Sequence, residues 1–160
     1  MNGAHAHLLV NHIPLFCVSF GFAALLWSSV RKSAEMRWAA IGLFLVAGIA
    51  GWIAMETGES AEDLAKNLPG VTKAFIHEHE EAAEAANIAT TIVAVGAIGM
   101  ALIGRVKPQF LKLTQTLVLV LSLVATLLMG RAANLGGEVR HTEIRSDASL
   151  SLPASDDAED

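Results

Sequence analysis

The chain has 160 residues, 53% of them hydrophobic, and a formal net charge of -5. A mean hydropathy of +0.49, carried by long apolar runs, marks a membrane protein of one domain. The 11 basic residues against 16 acidic ones form no surface of the nucleic-acid-binding kind, and a single cysteine, Cys17, excludes an internal disulfide.

Four runs approach the roughly 20 apolar residues that a bilayer-spanning helix needs: residues 8–29, 36–55, 82–103 and 110–133. They are too long and continuous for barrel strands, so the expectation is an all-α, integral membrane four-helix bundle over residues 1–145. The first run has no Lys or Arg before it, which a signal peptide would need, and is expected to stay as an anchor. Asn11-His12-Ile13-Pro14 opens it. Proline fits a first helical turn and disfavours helical geometry at the residue before it. The helix therefore either begins near Pro14, with His12 at its rim, or begins earlier and kinks there. Cys17 reads as a small core residue.

Between the second and third runs, Ser60-x-x-Asp63 resembles a capping box and predicts a short helix over 61–67. Leu68-Pro69-Gly70 would end it. Thr72 can cap a third helix over 73–105, about 49 Å long at ~1.5 Å per residue. That exceeds a hydrocarbon core of ~30 Å, so the helix should project by about three turns, carrying His77 and His79. The fourth helix is expected to end at Asn134-Leu135-Gly136-Gly137, where glycine can take the left-handed cap conformation. A short outer segment over 138–144 and a disordered acidic tail over 146–160 would follow. Gly48, Gly51, Ala82, Ala85, Ala86, Ala89, Gly96 and Gly99 suggest close helix packing.

Arg31, Lys32 and Arg37 crowd one short loop, and Arg105, Lys107 and Lys112 another. Such loops stay cytoplasmic, which puts both termini on the periplasmic side of a bacterial inner membrane. Trp27, Trp38 and Trp52 then fall near the interfaces, as an aromatic belt or as lipid-facing or core residues. All six histidines share the outer side with every acidic residue except Glu35. Imidazole with carboxylate is a donor set for Zn, Cu, Fe or Mn.

Helical periodicity separates the two neighbouring histidines. His79 shares a stripe with Phe75, Ile76, Ala82, Ala83 and Ala86 and should face the bundle; His77, grouped with Lys73, Glu80, Glu81 and Glu84, should face water. Counting outward from the basic loops places His12, Glu56 and Arg131 in one layer, with His79 about 10 Å higher. Glu56 and Arg131 could form a plain ion pair. His7 would rise toward the level of His79, and whether it or His5 contributes is open. His141 can fold back over the mouth.

Four segments in this order, HLLVNHIP (7–14), TGESAEDLAKNLPG (57–70), IHEHEEAAEAA (76–86) and GGEVRHTEI (136–144), resemble the small bacterial membrane proteins grouped as domain of unknown function 2231. The resemblance implies a four-helix membrane fold. It singles out His12, His79 with Glu80, and Arg140, His141 with Glu143. It also implies redox surroundings, because some related proteins are joined to cytochrome-like domains. This chain has no CxxCH for covalent heme.

Two functions follow. One is a site at the outer face in which His12, His79 and His141, with Glu56, Glu80 or Glu143, hold a transition-metal ion, or in which His12 and His79 hold a b-type heme. Electron transfer or metal handling, with a redox complex or a periplasmic electron carrier as partner, would be its role. The other is a non-catalytic accessory subunit of a respiratory or photosynthetic membrane complex, its polar residues forming a hydrogen-bonded lid. The chain carries no Ser-His-Asp order, phosphate loop or HExxH, so an enzyme acting on its own is the less favoured class.

Overall fold

A computed structural model describes residues 3–67, 71–141 and 144–145. The expected helix stop at 68–70, the tail over 146–160 and the candidate ligand Glu143 lie outside the described residues. Every regular element among the described residues is helical: α1 (Gly3–Val10), α2 (Ile13–Arg31), α3 (Ala34–Ala65), α4 (Lys73–Val106) and α5 (Leu111–Arg140), with one 3-10 turn at Pro108–Phe110.

The helix ends follow local chemistry. Pro14 sits in the first turn of α2, where a missing N–H costs nothing. Lys32 ends α2 at φ 55°, and Ser33 at once begins α3, its hydroxyl accepting from Met36 N at 3.2 Å. Two residues thus turn the chain through an antiparallel hairpin. Thr72 caps α4 by accepting from Phe75 N, as its position before the third helix predicted. Lys107 and the 3-10 turn join α4 to α5.

Packing runs α2–α3–α4–α5 and back to α2, so α2 stands diagonal to α4 and α3 to α5. The core between the helices is mainly apolar, with Val18, Leu25, Phe44, Val93 and Met100 almost fully buried and small and polar residues set among them. Gly21 lies under the fully buried Phe44 ring, where an added Cβ would come within 2.5 Å of ring carbon. Gly51 faces the amide oxygen of Asn87 in the same close way. Buried Gln115 donates to Ser29 Oγ at 2.9 Å, and Ser28 Oγ donates to Ser33 O at 2.8 Å. Large apolar side chains also point outward: Phe20, Ile49, Val95 and Leu127 are each more than 60% exposed. A surface this apolar suits lipid as the solvent. Four helical stretches, Gly3–Arg31, Ala34–Glu62, Lys73–Val106 and Pro108–Arg140, are long and apolar enough to cross a membrane.

Two local expectations change. The segment after Ser60 does not start a new helix; α3 runs unbroken through it to Ala65. Helix α1 packs along this stretch, with Gly3 against Ser60, and supplies the burial that keeps it helical. Nor does α5 stop at Gly136-Gly137; it continues to Arg140. Glycine in a helix interior costs only about 1 kcal/mol, and Gly136 lies directly against an imidazole of α4. At Asn11-His12-Ile13-Pro14 the first of the two readings holds: α2 begins at Ile13 with His12 at its rim, and residues 3–10 form a further helix before that turn.

Helix lengths decide where a site can form. Helix α4, at 34 residues, is about 51 Å long against a hydrocarbon core of ~30 Å. The 32 residues of α3 and the 30 of α5 also exceed that span. The excess gathers at the end opposite the two hairpin turns. There α1, the end of α3, the start of α4 and the end of α5 form one polar mouth.

Candidate functional site

His79 leaves the second turn of α4 toward α5. Its Nδ1–H donates to the Ala132 carbonyl at 3.0 Å, and its ring lies on Gly136, where an added Cβ would sit 2.9 Å from Cε1. His77, two residues earlier and so on the other side of the helix, is exposed and lies 3.3 Å from Glu81 Oε1. The periodicity had separated them this way.

His7 makes the same arrangement on the other side of the mouth. It leaves α1 toward α3, its Nδ1–H donates to the Ala54 carbonyl at 3.0 Å, and Thr57 Oγ1 lies 3.4 Å away. Its ring lies beside Gly58, where an added Cβ would meet Cε1 at 3.4 Å. In both cases the glycine follows the accepting residue by four positions, Ala54 to Gly58 and Ala132 to Gly136. Helix geometry explains the spacing. A side chain covers the turn on the N-terminal side of its own Cα, so a glycine uncovers the carbonyl four residues before it. That carbonyl, already bonded along the helix, has a second lone pair for the imidazole.

Both bonds use Nδ1. Among the described residues, Nε2 of neither ring takes part in a hydrogen bond. His7 also lies within electrostatic reach of His79 and of His12. The mouth therefore presents two part-buried imidazoles, each oriented by a backbone carbonyl, with Nε2 of His79 lying over Gly136.

The other sequence-selected residues are placed differently. His12 is the residue before α2; it is exposed, bonded to the Asn11 side chain and stacked on Phe16 at 6.4 Å between ring centroids. Phe16 stacks in turn on Phe20 at 6.2 Å, so His12 heads an outward stripe of exposed rings. His141 is the exposed residue that closes α5, its N–H bonded to Gly137 O. Glu56 and Arg131 are both exposed, and no ion pair joins them, since α3 and α5 stand diagonally. Glu80 is exposed and shares a surface hollow with Glu62, Lys66, Lys73 and His77. Among the described residues no group of three or more His, Cys, Asp or Glu side chains could hold a metal ion. His12, His79 and His141 are not gathered into a three-histidine centre.

The mouth is closed on one side by Arg145. Its Nε donates to Glu138 O at 2.7 Å and its Nη2 to Val139 O at 3.1 Å, which satisfies carbonyls in the last turn of α5. The guanidinium also lies 4.1 Å from the centre of the Phe75 ring on α4, within cation–π range.

What sequence reasoning left open was His7, together with the two backbone acceptors. One signal was present: His7 opens the first resembling motif; Ala-x-x-x-Gly, which occurs four times in the chain, does not single out Ala54 and Ala132. No family model matches the chain, and no curated protein or solved structure does.

Proposed function

We propose that this protein is a multi-pass membrane protein that holds an imidazole-ligated metal centre, b-type heme iron or a bare transition-metal ion, between His7 and His79. The observation that supports this reading is the matched pair of Nδ1–carbonyl bonds. A histidine that ligates a metal almost always donates its other ring N–H to a carbonyl, carboxylate or water, which fixes tautomer and orientation. Here two rings are held so, on opposite sides of one mouth. His7 and His79 would hold a heme iron through their imidazoles, and the group would supply electron transfer there. A bare ion in a structural site takes about four ligands and would need additional donors from solvent or from Glu143. The resemblance to the domain 2231 proteins, through four motifs, fits redox surroundings. Bound, either group would supply one-electron chemistry or metal transfer at the outer face. What the chain itself does is orient the two rings through the Ala54 and Ala132 carbonyls.

Spectra and elemental analysis of the detergent-purified protein test this. A Soret band with one iron per chain identifies heme, and one metal per chain without that band identifies a bare ion. Either signal should fall to background in His7→Ala and in His79→Ala and persist in His77→Ala. Wild-type protein that takes up neither heme nor metal overturns the reading. It leaves the two rings as clamps between helices in a non-catalytic accessory subunit.

A further inference from the structure

The end of the bundle opposite the histidines carries a second feature that the metal reading does not use. Where α4 passes through the 3-10 turn into α5, Leu102, Ile103, Val106, Phe110 and Leu113 line an apolar groove of about 510 Å³, with Lys107 at its edge. The 3-10 turn turns Phe110 outward, and all five apolar side chains are exposed, Val106 at 77%. The charge at this end is one-sided. Arg31, Lys32, Arg37, Arg105, Lys107 and Lys112 face a single acid, Glu35, which accepts from the Ser33 hydroxyl at 2.9 Å. Arg105 is turned toward α3, its guanidinium 5.4 Å from the centre of the Trp38 ring. Lys107 and Lys112 are both exposed on the groove's own hairpin.

We propose that this groove binds one anionic phospholipid, an acyl chain lying against Phe110 and Leu113 and the phosphate group meeting Lys107 at its edge, with Lys112 adding to the positive charge of the same hairpin. Charge complementarity selects this occupant. A second copy of the chain docking by the same face would bring Lys107 and Lys112 against their own kind. An uncharged lipid would fill the apolar part and leave the lysines without a partner. Basic residues at a membrane surface attract anionic lipid by about 1 kcal/mol each, and a groove beside them turns that general attraction into a site.

The test is lipid retention by the full chain. Protein reconstituted in phosphatidylcholine with one-fifth phosphatidylglycerol is re-extracted in mild detergent, and the bound lipid is quantified by mass spectrometry. Wild-type protein should retain phosphatidylglycerol at least fivefold above its share of the mixture. Lys107→Gln with Lys112→Gln should bring the ratio to parity. Leu113→Trp, which fills the groove without changing charge, should lower the amount retained. Arg31→Gln with Lys32→Gln, on the other hairpin, should leave both unchanged. Wild-type retention at the bulk ratio overturns the proposal. So does an equal loss in the Arg31/Lys32 variant, which would make the effect a property of the whole basic end. Full retention by Leu113→Trp removes the groove from it. Unfolding temperatures of the variants, which alter only exposed side chains, should match wild type.

Discussion

A methyl group at position 136 would collide with His79, whereas one at position 58 would only touch His7. The two glycines therefore make a controlled comparison. Alanine in a helix interior is favoured over glycine by about 1 kcal/mol, so Gly58→Ala should be neutral or slightly stabilising. Gly136→Ala gains the same propensity but displaces the ring and its bond to Ala132 O. Overpacking of ~1–3 kcal/mol and a lost hydrogen bond of ~0.5–1.5 kcal/mol outweigh the gain. Thermal unfolding in detergent should show Gly136→Ala below wild type and Gly58→Ala at or above it. Equal stability of the two would mean that the His79 ring is not confined by α5. At this scale the sequence was legible where periodicity speaks. His77 and His79 separate because two residues span about 200° of helix, and Thr72 shows itself by its place before an apolar run. His7 was not legible as a partner of α3, because the atoms it meets are backbone oxygens. Every residue has one, so no residue type announces it.

Among the elements, α3 and α5 carry the differences between expectation and structure. Ser60-x-x-Asp63 is a valid helix start in isolation, and Gly136-Gly137 is a valid stop. Both were overridden by neighbours distant in sequence: α1 against α3 in one case and His79 against α5 in the other. Cap signals carry about 1 kcal/mol, less than the packing of a helix face. A proline at position 61 separates the two descriptions of α3. Were Ser60 a helix cap, residue 61 would be the first helical position, where proline is favoured. In the continuous helix, proline there removes a bond to the Thr57 carbonyl and strains the turn that also receives His7. Ala61→Pro should therefore cost about 3 kcal/mol, read as a lowered unfolding temperature. An unchanged temperature would restore the separate helix.

For the whole molecule, the four spans were legible because lipid imposes a long, unmistakable pattern. The arrangement of the mouth was not, because it depends on how far each helix overshoots the bilayer and which diagonal it occupies. Glu56 and Arg131 are an instance: level in depth, they sit on helices that do not adjoin. The basic hairpin turns set the orientation expected in a cell, with the histidine mouth outside. In a Cys17→Ser background, a cysteine at Glu62 should react with a membrane-impermeant reagent in intact cells, and one at Ser33 should not. The opposite pattern would invert the topology and put the imidazole pair in the cytoplasm.

Each imidazole bond closes within one half of the chain. His7 and Ala54 both precede the α3–α4 connection, and His79 and Ala132 both follow it. During synthesis, the first half can therefore fasten itself in the bilayer before the second has left the ribosome. Each hairpin then enters lipid with its own ring already oriented and waits only for its counterpart. A group held between the two rings, as proposed above, would be bound last, by two parts already formed when they meet.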